Sequence, residues 1–339
     1  MRVDRRWACG VVLWLAAGCG PPPPRVVERA ALKGHGREIV SISLAPDGRT
    51  LATRGADGVK LWDLAGGSVE PVQTLPVDGS DYGSVAFAPD GKSLAADRVG
   101  MGAVVWEIPG GRERANYLLP KGPPTALTTL MSPGWGLAYA PDGSKLAGGA
   151  SHGGEDGFVA LWDTGDGHGV ELPPLRRPIT SVAYSPDGKT IASGSMDGKI
   201  VLWDVASRRQ RVKIDAGRTY LAPVAFSPDG RVVASSNEAR WVKLWDAATG
   251  AEVGIMKGHV KAVLSLAFAP DGKTLASGDS GGVLLIWDWT RRKMLLPLPS
   301  DRGKVWGLAF TPDGRTLISA GEDRLVRLWD VAWPGKAAP

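Results

Sequence analysis

Cysteine is almost missing from this chain: of 339 residues only Cys9 and Cys19 are cysteines, and both fall within the first nineteen positions. No disulfide can staple the remainder, so it must hold together through its packed core. About 300 residues can bury enough surface for that. Long apolar runs are lacking too. The run from Trp7 to Ala17 has eleven residues, where a membrane-spanning helix needs about 20. No stretch carries a sustained helical period. There is no phosphate-cradling glycine loop ahead of a helix, no helical metal motif and no Gly-x-Ser-x-Gly elbow. Nor is charge concentrated. Of the formal +5, residues 1 to 18 supply +2 (three Arg less one Asp), which leaves +3 for the rest. The short basic runs Arg208-Arg209-Gln210-Arg211 and Arg291-Arg292-Lys293 read as an anionic-surface patch or as solvated residues guarding an edge strand. The second reading is preferred, and nucleic acid is not expected as a partner.

What the chain has in abundance is a repeat. Seven Pro-Asp-Gly turns begin at Pro46, Pro89, Pro141, Pro186, Pro228, Pro270 and Pro312. Each is followed by an aromatic-acid pair led by Trp62, Trp106, Trp162, Trp203, Trp245, Trp287 and Trp329. From the fourth unit onward the period is 42 residues. Within a unit, Ile179 to Tyr184 is apolar and β-prone, and the turn at Pro186 reverses it. Proline presets the first turn position and glycine accepts a positive φ. A second strand (Thr190 to Ser193), a nearly continuous apolar third (Lys199 to Trp203) and a more polar fourth (around Arg211 to Ile214) complete the unit. The third reads as buried on both faces and the fourth as an outer edge.

The pattern Gly258-His259, Leu266-Ala267-Phe268, Pro270-Asp271-Gly272, Leu275-Ala276-Ser277-Gly278 and Ile286-Trp287-Asp288 resembles a WD40 repeat. The resemblance covers about Val26 to Trp333. It implies an all-β fold, a seven-bladed β-propeller whose structural tryptophans are the seven named above. The last unit stops after its third strand, and Val26 to Leu32 sits where a fourth strand belongs. The N-terminal segment is therefore expected to close the last blade. In the WD40 family a turn aspartate joins a histidine, a Ser or Thr and the tryptophan in a buried hydrogen-bond network. Here only His35 and His259 occupy the histidine position. Asp57 is displaced by one residue, and Gly281 stands opposite His259, so no unit is expected to hold the full set.

The N-terminus reads as an address. A basic start and the apolar run fit a signal peptide over 1–18. Leu15-Ala16-Ala17-Gly18-Cys19 resembles the lipobox of bacterial lipoproteins, in which cleavage precedes the cysteine and a lipid is attached to it. Ala16 departs from that pattern, since a larger aliphatic is commonest there, and an ordinary secretory signal is the alternative. Residues 19–25 would be a lipidated Cys19 and a stiff Pro-rich tether, 26–333 the propeller and 334–339 a short tail. The expected location is outside the cytoplasm, lipid-anchored to a bacterial membrane, or else soluble and secreted or periplasmic.

Departures from the repeat point to a site. The third unit carries 21 residues from turn proline to tryptophan where five others carry 17, owing to Gly148 to Gly157. Between Trp106 and Pro141 lie 35 positions, against 24 to 27 elsewhere, because of the segment Tyr117 to Pro133. Loops entering the first strand and loops between the second and third emerge on one face of a propeller, so both insertions rise together. Leu127, Leu130, Met131, Trp135, His152, Glu155 and Trp306 are the candidate partner-binding residues, with Trp135 and Trp306 at matching positions six residues before the turn proline. Each tryptophan reads equally well as a gap filler between blades. Tyr82 and Tyr220 are weaker members of the same surface, and His168 is expected to be exposed on the opposite face. His152, Glu155 and Asp156 match no metal-ligand spacing. The expectation is a monomeric, non-catalytic scaffold for an unidentified protein partner, with no cofactor and no metal. The alternative is a propeller enzyme or small-ligand binder using the central channel.

Overall fold

The computed structural model describes residues 24–77, 83–98, 102–119, 136–152, 156–219, 221–299 and 303–333. Every regular element among them is a β-strand. The strands form seven four-stranded antiparallel sheets, numbered here as blades 1 to 7 in chain order. Blade 4 is typical: Ile179–Tyr184, Thr190–Ser195, Lys199–Asp204 and Arg209–Asp215. In blade 7 the order is Arg25–Leu32, Val326–Ala332, Thr316–Gly321 and Val305–Phe310. The N-terminal strand thus supplies the missing outer strand, in a register from Arg25↔Ala332 to Leu32↔Val326. The closure expected of Val26 to Leu32 is present, and it begins one residue earlier.

The turns behave as their residues require. In blade 1 the Gly48 amide donates to the Ala45 carbonyl at 2.9 Å. The Asp47 carboxylate accepts from the amides of Arg49 (2.8 Å) and Thr50 (3.3 Å). All seven turn glycines hold φ between 67° and 74°, the left-handed region that costs glycine nothing and an L side chain about 1–2 kcal/mol. Adjacent turns touch around the ring: a Cβ on Gly188 would stand 3.4 Å from Pro141 Cδ, and one on Gly230 3.4 Å from Pro186 Cδ.

The core is not one mass but seven clusters, each shared by two neighbouring blades. Trp203 packs with Val159, Leu161 and Leu172 of blade 3, Trp245 with Ile200 and Leu202 of blade 4, and Trp62 with Leu32, Val326 and Leu328 of blade 7. All seven repeat tryptophans are at most 5% exposed. Each therefore acts as the glue between its own blade and the one before, and truncating such a residue typically costs about 3–5 kcal/mol. In five blades the indole N–H donates to a Ser or Thr of the second strand: Trp62 to Thr53, Trp203 to Ser193, Trp245 to Ser235, Trp287 to Ser277 and Trp329 to Ser319. Blade 3 has Gly148 opposite that position, and Trp162 donates instead to the Leu118 carbonyl of blade 2 at 2.8 Å.

Two blades hold the buried network in full, which corrects the expectation from spacing. In blade 1, His35 contacts the Asp57 carboxylate and the Thr53 hydroxyl, both at 2.7 Å. In blade 6, His259 contacts Asp279 at 2.9 Å and Ser277 at 2.7 Å. The aspartate of blade 6 comes two residues before Gly281, at the end of the second strand. One of its oxygens caps the turn through the Gly281 and Val283 amides while the other reaches the histidine. Position along the chain mattered less than which end of the strand the carboxylate occupies. Burial depresses the pKa of His35 although Asp57 opposes it. Burial pushes Asp57 up, but the hydrogen bonds from His35 and the Gly36 amide outweigh it, so its carboxyl sits below the ordinary range.

Candidate functional site

The strands nearest the axis line a central channel. Its described wall includes Val40, Ser84, Thr180, Ala222, Leu264 and Trp306 around a cavity of about 660 Å³ counted with its open mouth. Among the described residues lining it, none is ionisable. Several of its hydroxyls stitch neighbouring blades together. Ser41 accepts from the Val85 amide at 3.2 Å, Ser84 from Leu137 at 3.0 Å and Thr180 from Ala222 at 3.1 Å. An innermost strand has no neighbour within its own sheet on the channel side, and these contacts satisfy its otherwise bare amides.

Trp306 stands at the rim of this channel. Its indole N–H donates to Glu38 of blade 1 at 3.0 Å, and Lys304 Nζ lies 5.4 Å from the ring centroid. Glu322 accepts from the Lys304 amide at 2.9 Å and lies 3.6 Å from its ammonium. The tryptophan is only partly buried, and it bridges blades 7 and 1 at the mouth.

Both insertions belong to the same end of blade 3. Leu137 pairs with Gly148 where the first strand begins, and His152 pairs with Asp156 where the second ends. In an antiparallel pair these points lie at one end. The backbone of His152 closes that strand. Glu155 and Leu127, Leu130, Met131 and Trp135 lie outside the described residues, as do Tyr82 and Tyr220. Leu118, the last residue of the blade 2 outer strand before the first insertion, is 66% exposed. His168 is exposed in a turn at the opposite end. Among the described residues no group of three or more His, Cys, Asp or Glu could hold a metal ion.

Sequence reasoning missed Arg54. This residue is wholly buried between blades 1 and 2; its Nη1 donates to the Asp97 carbonyl at 2.9 Å and stands 3.6 Å from the Asp97 carboxylate. That carboxylate accepts from the Ser84 amide at 2.6 Å. At the position of Arg54, blade 2 carries Asp97 itself, and blades 3 to 7 carry Gly149, Gly194, Ser236, Gly278 and Ala320. A Cβ on the facing Gly83 would lie 2.1 Å from Arg54 Nε, so arginine fits here only because glycine faces it. The repeat offered the signal: two residues of opposite charge, Arg54 and Asp97, side by side in a column otherwise made of small ones.

The family model described as "WD domain, G-beta repeat" matches residues 27–63, 167–204, 224–246, 250–288 and 293–330, together more than half of the chain. The stretch 64–166, which holds most of blades 2 and 3, lies in none of these spans. Over 78 residues the chain is 35% identical to Protein Atg16l2 of Mus musculus and 33% identical to Protein Atg16l2 of Homo sapiens. The aligned part is 23% of this chain and only 12% and 13% of those relatives. Seven tryptophan-centred blades, ring closure and five repeat matches agree: the chain belongs to the WD40-repeat family.

Proposed function

We propose that this protein is a non-catalytic scaffold, a propeller that captures a protein partner on the face bearing the blade 3 insertions. WD40 propellers commonly bind proteins, and fold alone names neither partner nor face. The observation that carries the choice of face is the shared end of the two insertions in blade 3, defined by the Leu137↔Gly148 and His152↔Asp156 pairs. Trp306 and the exposed Leu118 add apolar surface, the residue class that anchors interfaces. The channel is the weaker candidate, because its described wall is neutral and several of its hydroxyls are already engaged between blades. The N-terminal sequence supports export with a lipid on Cys19, which would hold the scaffold at the outer side of a bacterial membrane. The propeller itself is proposed to work as a monomer.

Crosslinking in the native cells tests the main claim. A partner recovered by the intact protein and lost from a variant lacking 122–132 is expected. Equal recovery by both would move the site to another face. Membrane fractionation of Cys19→Ser tests the anchor: release into the soluble fraction is expected, and unchanged membrane association would refute it.

A further inference from the structure

At the end of the ring opposite the insertions, blades 2 and 3 leave a cleft of about 570 Å³ counted with its open mouth. Its polar walls are Asp90, Ser93, Arg114, Tyr139, Asp142 and Thr164, with Tyr117 beside them. The corresponding junction of blades 4 and 5 shows why the cleft is unusual. There Arg211, the bulged residue of the fourth strand, donates to the Ala247 carbonyl of the next blade at 2.6 Å. Arg114 holds the same bulge position in blade 2. The carbonyl matching Ala247, two residues after the tryptophan, is that of Thr164. It is already taken by the Tyr117 hydroxyl at 3.1 Å, where blade 4 carries the hydrocarbon of Ile214. Arg114 therefore turns to Ser93, its one hydrogen bond among the described residues, at 3.2 Å.

Arg114 lines the cleft beside a second donor. Tyr139 stands where four other blades have Phe87, Phe226, Phe268 and Phe310 and blade 4 has Tyr184, and its hydroxyl makes no hydrogen bond among the described residues. Burial, reinforced by Tyr117 and Asp90, pushes its pKa up, so the phenol keeps its proton. On the other walls Asp90 binds the amides of Lys92 and Ser93, and Asp142 binds Ser144, each through one carboxylate oxygen. The Ser144 amide holds Asp142 below the usual carboxylate range, so it is charged. Among the described residues Arg114 forms no ion pair with either acid.

The cleft thus sets a cation and two acids apart across a tyrosine-walled gap. A simple anion would meet the two acids, and a simple cation the guanidinium. We propose that the cleft binds a small zwitterion of the α-amino-acid class, its carboxylate held by Arg114 and Tyr139 and its ammonium by Asp90 and Asp142. Charge-assisted hydrogen bonds to an otherwise weakly engaged guanidinium are the strong kind.

Calorimetric titration of the full chain with glycine, L-alanine and L-serine tests this, with acetate and methylammonium as half-ligands and O-phosphoethanolamine as a zwitterion of another class. Binding of at least one amino acid and of neither half-ligand is expected. Arg114→Gln should weaken it about tenfold or more, the loss of one charged hydrogen bond. Tyr139→Phe, which restores the residue common in other blades, should weaken it several-fold while the melting temperature of the free protein stays unchanged. Absence of binding by all three amino acids, undiminished binding by Arg114→Gln, or acetate binding as well as glycine would each overturn the proposal. Tighter binding of O-phosphoethanolamine would reject the amino-acid class.

Discussion

Blades 4 to 6 and blades 2 and 3 solve the same folding problem in different ways. In blades 4 to 6 the repeat is regular, and each tryptophan donates to a serine of its own blade. Blade 3 lacks that serine, and its tryptophan leans on a carbonyl of blade 2 instead. Blades 2 and 3 also carry both insertions, the buried Asp97 partner of Arg54 and the Arg114 cleft, and most of their sequence falls outside the repeat matches. The inter-blade clusters are nonetheless of one kind throughout. Apolar packing, which tolerates substitution, is shared; specific polar bonding is kept where the blades are regular and rebuilt where they depart. Regularity marks what folds the ring, and the departures are where the proposed partner and ligand sites lie.

That contrast can be broken most forcefully at the closure. Deleting 25–32 removes seven register pairs and the buried Leu32. It should cost more than about 5 kcal/mol, the upper end for a single core truncation, together with cooperative unfolding; calorimetry with an unchanged melting curve would contradict it. Next in size is the buried network. Asp279→Asn in blade 6 should destabilise by about 1–3 kcal/mol, because a buried acceptor for His259 and two amides is weakened. The exposed Asp156→Asn in blade 3 should stay within about 0.5 kcal/mol. Chemical denaturation of the two variants side by side measures the difference.

Acidity probes the same network in blade 1. The folded pKa of His35 lies below its ordinary 6.5. The unfolded chain therefore takes up a proton first, and stability present above pH 6.5 should decline as pH falls through and below that value. Asp57, also depressed, extends the loss further into acid, below the ordinary 3.8. His35→Gln should flatten the upper part of this decline in a melting series. The smallest effect lies in the outer turns. Arg208 sits at φ 59°, five residues after its tryptophan, where four other blades place Gly67, Gly111, Gly167 and Gly250 at positive φ. Arg208→Gly should stabilise by about 0.5 kcal/mol, strain relief partly offset by greater freedom of the unfolded chain. Arg292→Gly should gain less, since Arg292 also donates to the Val253 carbonyl.

The sequence displayed the architecture almost completely. Pro-Asp-Gly turns, tryptophan spacing and the unpaired Val26 to Leu32 segment are local signals, and local signals survive folding unchanged. What it concealed was relational. Asp279 could not be read as the partner of His259 by counting, because a carboxylate at a strand end reaches across rather than along. Arg54 was visible as an oddity, but its meaning needed Gly83 and Asp97 from another blade. The cleft depends on one hydroxyl, that of Tyr117, taking a carbonyl that an arginine uses elsewhere.

The central claim is that folding and partner capture reside in different blades, and one paired measurement tests it. The variant lacking 122–132 and Asp279→Asn would be compared for melting temperature and for partner recovery after crosslinking in the native cells. The account predicts that the deletion loses the partner and keeps its melting temperature, while Asp279→Asn keeps the partner and melts lower. A deletion that lowers the melting temperature as much as Asp279→Asn, or that leaves recovery intact, would contradict it.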